Sequence, residues 1–200
     1  MFTASDKGSS ARARSSSVWA ASNRPCGTRQ FIAYHWCAVA YCGLCAIARR
    51  KPASAARALR RTLELNQDFG TAHYFLGHVH IAMGRYDEAT GALERAVTLQ
   101  EGSAETEAAL ATAHALAYHR AEAEALLAEL ERRAQEVYVS PALLAQVHLA
   151  LGDPAPALER LEEAAARRTA DLVWLRVHPI YDSVRGHPRF RALLETMHLL

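Results

Sequence analysis

Apolar and small residues recur along this chain with a helical period, and from about residue 36 that pattern itself repeats every 34 residues. One column is small: Gly43, Gly77, Ala111, Ala145. The column before it is Cys42, Leu76, Leu110, Leu144. A third is alanine (Ala55, Ala89, Ala123, Ala157) and a fourth is leucine (Leu59, Leu93, Leu127, Leu161). In each period the small residue falls within a first helix and the alanine within a second. Antiparallel helices approach closely only where the facing side chains are small. The leucine four residues beyond the alanine shares its face and fills the space beside the crossing. A lone hairpin cannot bury that face, whereas a stack of hairpins can. The pattern therefore predicts an all-α protein, an α-solenoid of about four helical hairpins.

The breaks between helices carry matching signals. Gly84 is predicted to end a first helix before Tyr86-Asp87-Glu88-Ala89 begins the next. Leu151-Gly152-Asp153-Pro154 places Gly at a helix end, Asp as N-cap and Pro as first helical residue, and Ser140-Pro141 opens the preceding helix in the same way.

These residues resemble the tetratricopeptide repeat family. The fullest match is residues 70–103, where Leu76-Gly77, Gly84, Tyr86, Ala89, Leu93 and Ala96 all fall in family positions. The other repeats are read as 36–69, 104–137 and 138–171. They depart at Pro52, where the turn aromatic is usual, and at Thr62 and Leu130, where alanine is usual. Residues 170–200, with Trp174-Leu175, Val177-His178-Pro179 and Arg185-Gly186-His187-Pro188-Arg189-Phe190, are similar to a tail that follows such arrays in bacterial multidomain signalling proteins. Trp174, Leu175, Phe190, Leu193, Leu194 and Met197 are expected to cap the last repeat, so residues 172–200 are read as a C-terminal capping helix unit. Residues 31–171 form the array on this reading. Residues 1–30, rich in Ser and Arg without a sustained period, read as disordered.

Composition changes the picture in one respect. The net charge of +2 hides an asymmetry: residues 1–61 hold eleven basic residues against Asp6, while residues 62–200 hold twelve against twenty acids. A basic leading third suits nucleic acid or an anionic membrane surface. No aromatic residues interleave with the arginines as a stacking platform requires, which disfavours nucleic acid. All four cysteines lie within residues 26–45, so no disulfide framework spans the fold and a reducing, cytoplasmic location is expected.

Residues 31–48 are the competing signal. This mostly apolar run, flanked by Arg29 and by Arg49-Arg50-Lys51, is barely long enough to cross a bilayer. The alternative reading is thus a membrane-tethered assembly factor anchored by residues 31–48. Gly43, Ala55 and Leu59 in repeat register favour a first-repeat helix instead.

Candidate chemistry is sparse. His80, His114 and His148 recur in register, but helices stacked about 10 Å apart cannot bring them to one ion, so interior packing is expected. Cys37, Cys42 and Cys45 mimic cluster spacing within a segment that reads as helix, and are expected to be small buried hydrophobes. Arg57, Arg60 and Arg61 read as a solvated face. There is no phosphate-cradling glycine loop, nucleophile elbow or His-Glu-x-x-His, so neither an enzyme nor a cofactor or metal is expected.

The family resemblance implies a protein or peptide partner in a concave groove lined by first helices. Projected onto this chain, the groove positions are Tyr74, His78, Ile81, Ala108, Thr112, Leu116, Ala142, Gln146 and Leu149. Some relatives grip a C-terminal carboxylate there with a Lys/Asn/Arg clamp. None of these nine positions carries such a residue, so chaperone-tail recognition is not expected. A helical or extended apolar segment suits the face better.

Overall fold

Alanine, leucine, arginine and glutamate fill the segments between the glycine and proline breaks, and helix is the conformation these residues favour. The computed structural model describes residues 52–197, all within the compact unit Val39–Leu200, and contains no strand among them. The α-helices are α1 (Pro52–Leu65), α2 (Gly70–Ala82), α3 (Tyr86–Leu99), α4 (Ala104–Leu116), α5 (Arg120–Arg133), α6 (Pro141–Leu151), α7 (Pro154–Ala166) and α8 (Pro188–Thr196). Two 3-10 helices, Ala170–Trp174 and Pro179–Val184, lie between α7 and α8. Residues 1–30, the apolar run 31–48, Gly43 and all four cysteines lie outside the described residues.

The first helices of the hairpins, α2, α4 and α6 (the inner helices), end in the same way. The amide of Arg85 donates to His80 O at 3.0 Å, that of His119 to His114 O at 2.9 Å, and that of Asp153 to His148 O at 2.9 Å. The amides of Gly84, Tyr118 and Gly152 donate to Ile81, Ala115 and Leu149 at 3.0–3.2 Å. These paired bonds satisfy the last carbonyls of α2, α4 and α6 and require a left-handed residue at the turn. Gly84 (φ 71°) and Gly152 (φ 85°) supply it without strain, whereas Tyr118 (φ 65°) adopts it with a side chain attached. The predicted N-caps are corrected in part. Asp153 and Ser140 hold the N-cap positions of α7 and α6, yet neither side chain caps the helix. The Asp153 carboxylate lies 3.6 Å from Arg120, and Ser140 Oγ is buried without a partner.

The columns read from the sequence are the buried seams of the structure. Ala55, Ala89, Ala123 and Ala157 are fully buried, and Leu59, Leu93, Leu127 and Leu161 are buried beside them. α2 and α3 cross closely at Gly77. A Cβ placed on Gly77 would lie 2.7 Å from Leu93 Cδ2, inside contact distance. Adjacent helices pack in sequence as α1 on α2, α2 on α3, α3 on α4 and so on to α6 on α7, with α4 also against α6. This is a stack of helical hairpins.

The departures from the repeat pattern have local physical reasons. Thr62 is buried, and its hydroxyl donates to Ala58 O at 3.1 Å, so no polar group is left unsatisfied. Leu130 is fully buried where Ala96 and Ala164 stand in neighbouring repeats. Its extra volume shares a cluster with Ala108 and Ala111, small residues contributed by α4.

Arginines tie neighbouring helices together, both within a hairpin and between hairpins. Arg133 of α5 meets Glu107 of α4 and donates to Gly102 O at 2.8 Å. Arg160 reaches Glu131 at 3.0 Å across α7 and α5. Arg189 of α8 holds Glu162 of α7 through two bonds of 2.8 Å. That fork keeps the Glu162 carboxyl below its usual value, chiefly through the hydrogen bond.

The C-terminal segment covers the last hairpin. Leu172, Leu175, Tyr181, Val184, Phe190, Leu193 and Leu194 form one buried cluster with Ala142, Ala145, Leu149, Leu158 and Leu161, and Met197 packs against it. Trp174, expected in this cap, is only half-buried and stands outside the cluster, while Tyr181 is fully buried. A His-Pro pair opens each of the last two elements. Nδ1 of His178 accepts from the Ile180 amide at 3.3 Å, and Nδ1 of His187 accepts from Arg189 at 3.2 Å. Pro179 and Pro188 occupy the first helical position, where the missing N–H costs nothing.

Candidate binding face

The face in question is built by α2, α4 and α6. A turn of 3.6 residues places Tyr74, His78 and Ile81 on one side of α2, and the equivalent positions of α4 and α6 follow at the 34-residue repeat. In the structure the nine predicted residues divide into two groups. Ala108, Thr112, Ala142 and Leu149 are buried, and the Thr112 hydroxyl is consumed by Ala108 O at 2.8 Å. Tyr74, His78, Ile81, Leu116 and Gln146 are half-buried.

The chain's own C-terminal segment lies against this second group. The ring of His178 sits 6.0 Å from that of His78, edge to face. His178, Pro179 and Ile180 close one side of a partly open cavity of about 200 Å³, whose other walls are His78, Ile81 and Ala82 of α2, Tyr86 of α3 and Leu116 of α4. Further along, Gln146 Nε2 donates to the Tyr181 hydroxyl at 3.2 Å. The Tyr181 ring stacks on Phe190 at 6.0 Å. The segment thus spans from α6 to α2.

Electrostatics at this contact follow from burial. Burial pushes His78 down to about 3, with the neighbouring His178 adding to the effect. Burial likewise lowers His178 to about 4, against an opposing pull from Asp182. Tyr74 and Tyr181 are both raised, first by burial, with the Asp171 carboxylate contributing to each. All four rings are therefore neutral near pH 7. Nε2 of His78, a residue that lines the cavity, is buried with no hydrogen-bond partner.

The register histidines sit elsewhere, at the carbonyl that closes each inner helix. His80 is buried, with Nδ1 3.4 Å from Glu88 Oε2 but without hydrogen-bond geometry, and burial lowers its pKa. His114 and His148 are half-buried, the latter 3.7 Å from Glu131. Interior packing describes His80 better than the other two. Among the described residues, no group of three or more His, Cys, Asp or Glu is placed to hold a metal ion. Arg57, Arg60 and Arg61 are exposed, with Arg61 paired to Glu64 at 2.5 Å.

The sequence did not show that Val177–Tyr181 would reach the inner helices. The available signal was the His178-Pro179 pair, which stops a helix and starts a 3-10 turn just before a large aromatic residue.

Comparison with known families bears on the first part of the stack. The family model for the tetratricopeptide repeat matches residues 46–111, a span that includes α1, α2, α3 and most of α4. Residues 46–111 are thus similar to tetratricopeptide repeats. No curated protein matches it. Tetratricopeptide repeats are protein–protein interaction modules, and the family is a non-enzymatic scaffold. Within the repeats and the tail, no described helix is long and apolar enough to cross a membrane.

Proposed function

We propose that this chain is an adaptor that binds a helical or extended segment of another protein on the α2/α4/α6 face, within bacterial signalling or regulation. The supporting observation is the gathering of Tyr74, His78, Ile81, Leu116 and Gln146 on one largely uncharged face that already accommodates a peptide segment. Apolar walls with a few directional polar groups suit a segment held by shape and one or two hydrogen bonds. The face carries no clamp for a terminal carboxylate. The tail similar to that of bacterial multidomain regulators supports a signalling context.

The test is a variant with Tyr74→Glu and Leu116→Glu, used to capture partners from the native host with mass-spectrometric identification. Specific capture by the parent chain should disappear in the variant while far-UV circular dichroism stays the same. Capture that survives in the folded variant would move the binding surface away from the inner helices.

A further inference from the structure

The segment between Leu175 and Tyr181 has the features of a strap. Both ends are anchored, since Leu175 and Tyr181 are fully buried in the cap cluster. Between them Arg176, Val177 and Pro179 are exposed, while His178 and Ile180 are half-buried against the inner helices. The strap is thus less buried than the residues that anchor it, although Ile180 also packs against the cap cluster.

The strap is also an incomplete ligand. It leaves the cavity of about 200 Å³ between Ile180, His78 and Leu116, and it leaves His78 Nε2 without a partner. Its geometry shows what the face accepts. The elements are a ring set edge-on to His78, a proline that starts a single 3-10 turn, and an apolar side chain that lines the same cavity as Ile81 and Leu116.

Resting on the reading that this face binds a protein segment, we propose that residues 176–180 occupy the site as an intramolecular ligand. The partner segment that displaces them has the same chemistry: a ring, then proline, then an apolar residue in one 3-10 turn, plus a polar group that meets His78 Nε2. A ligand filling the cavity and pairing that nitrogen removes two costs that the strap leaves in place. The strap raises the threshold for binding, because the competent state is populated only when it lifts.

The test uses the full chain and the blocked pentapeptide Arg-Val-His-Pro-Ile, followed by amide chemical shifts. A strap-loosened variant combines His178→Gly, Pro179→Gly and Ile180→Gly, leaving Leu175 and Tyr181 untouched. Should that triple variant fail to fold, Ile180→Ala alone replaces it. The peptide is expected to bind the loosened variant at least tenfold more tightly than the parent, with shifts centred on His78, Ile81 and Leu116. Adding Leu116→Glu to the loosened variant should abolish those shifts. Equal binding to the parent and a folded loosened variant, no binding to either, or shifts centred elsewhere would overturn the proposal. Partner capture that is sensitive to Leu116→Glu, alongside such a peptide result, would sink the intramolecular ligand and leave the adaptor reading standing.

Discussion

Gly77 and Leu93 offer the sharpest test of how the hairpins are held. A methyl group on Gly77 would stand 2.7 and 2.9 Å from the two Leu93 methyl carbons, and Leu93 is fully buried with nowhere to retreat. Overpacking of this kind costs up to about 3 kcal/mol. Replacing a mid-helix glycine by alanine returns about 1 kcal/mol of helix propensity. Gly77→Ala is therefore expected to destabilise by about 1–2 kcal/mol. Leu93→Ala alone removes a buried side chain and is expected to cost about 2–5 kcal/mol. In the Leu93→Ala background the clash is gone and the new methyl enters the vacated space. There Gly77→Ala should stabilise by about 1 kcal/mol, reversing its sign. Urea unfolding followed at 222 nm, with the slopes compared between variants, gives all four corners of the cycle. A Gly77→Ala effect that is the same within about 0.5 kcal/mol in both backgrounds would refute the close crossing.

Three further outcomes are expected. Tyr118→Gly should raise stability by about 1 kcal/mol, because Tyr118 is left-handed and 92% exposed, so the change relieves strain and loses little packing; an unchanged or lowered melting temperature would contradict this. Acid should loosen the strap: with His78 down to about 3 and His178 to about 4, both groups favour the closed form above pH 6.5 and lose that contribution as pH falls towards those values, by about 2–3 kcal/mol each at pH 4.5. His78→Phe should flatten its share of that dependence and be neutral or stabilising at pH 7, since Nε2 has no bond to lose; equal pH profiles for the parent and the variant would count against the buried neutral ring.

The stack was legible in the sequence because its determinants are local and periodic. The alanine and leucine columns and the left-handed glycines Gly84 and Gly152 act within one hairpin or between neighbours, so the 34-residue register exposes them. The size exchange at Leu130 was visible only as a departure, since its compensation by Ala108 and Ala111 lies across the interface between helices. The histidine column was legible as a pattern but not as a position. Only the backbone bonds show that His80, His114 and His148 supply the closing carbonyl of each inner helix.

The tail was half legible. Phe190, Leu193 and Leu194 announce a cap by their helical spacing, and the structure buries them. The path of residues 176–180 depends on a single non-periodic event, the stop at His178-Pro179, followed by Tyr181 finding Gln146 thirty-five residues away. No periodic signal carries a contact of that kind. For the same reason nothing in the sequence showed that the tail would cover the candidate face on α2, α4 and α6.

The central claim is that the chain's own tail lies on the inner-helix face. Nuclear Overhauser spectroscopy on the full chain with labelled histidine tests it directly, since the rings of His78 and His178 are 6.0 Å apart and edge to face. Cross-peaks between their ring protons are expected at pH 7. Their absence, with His178 at random-coil shifts while α2 remains folded, would contradict the account.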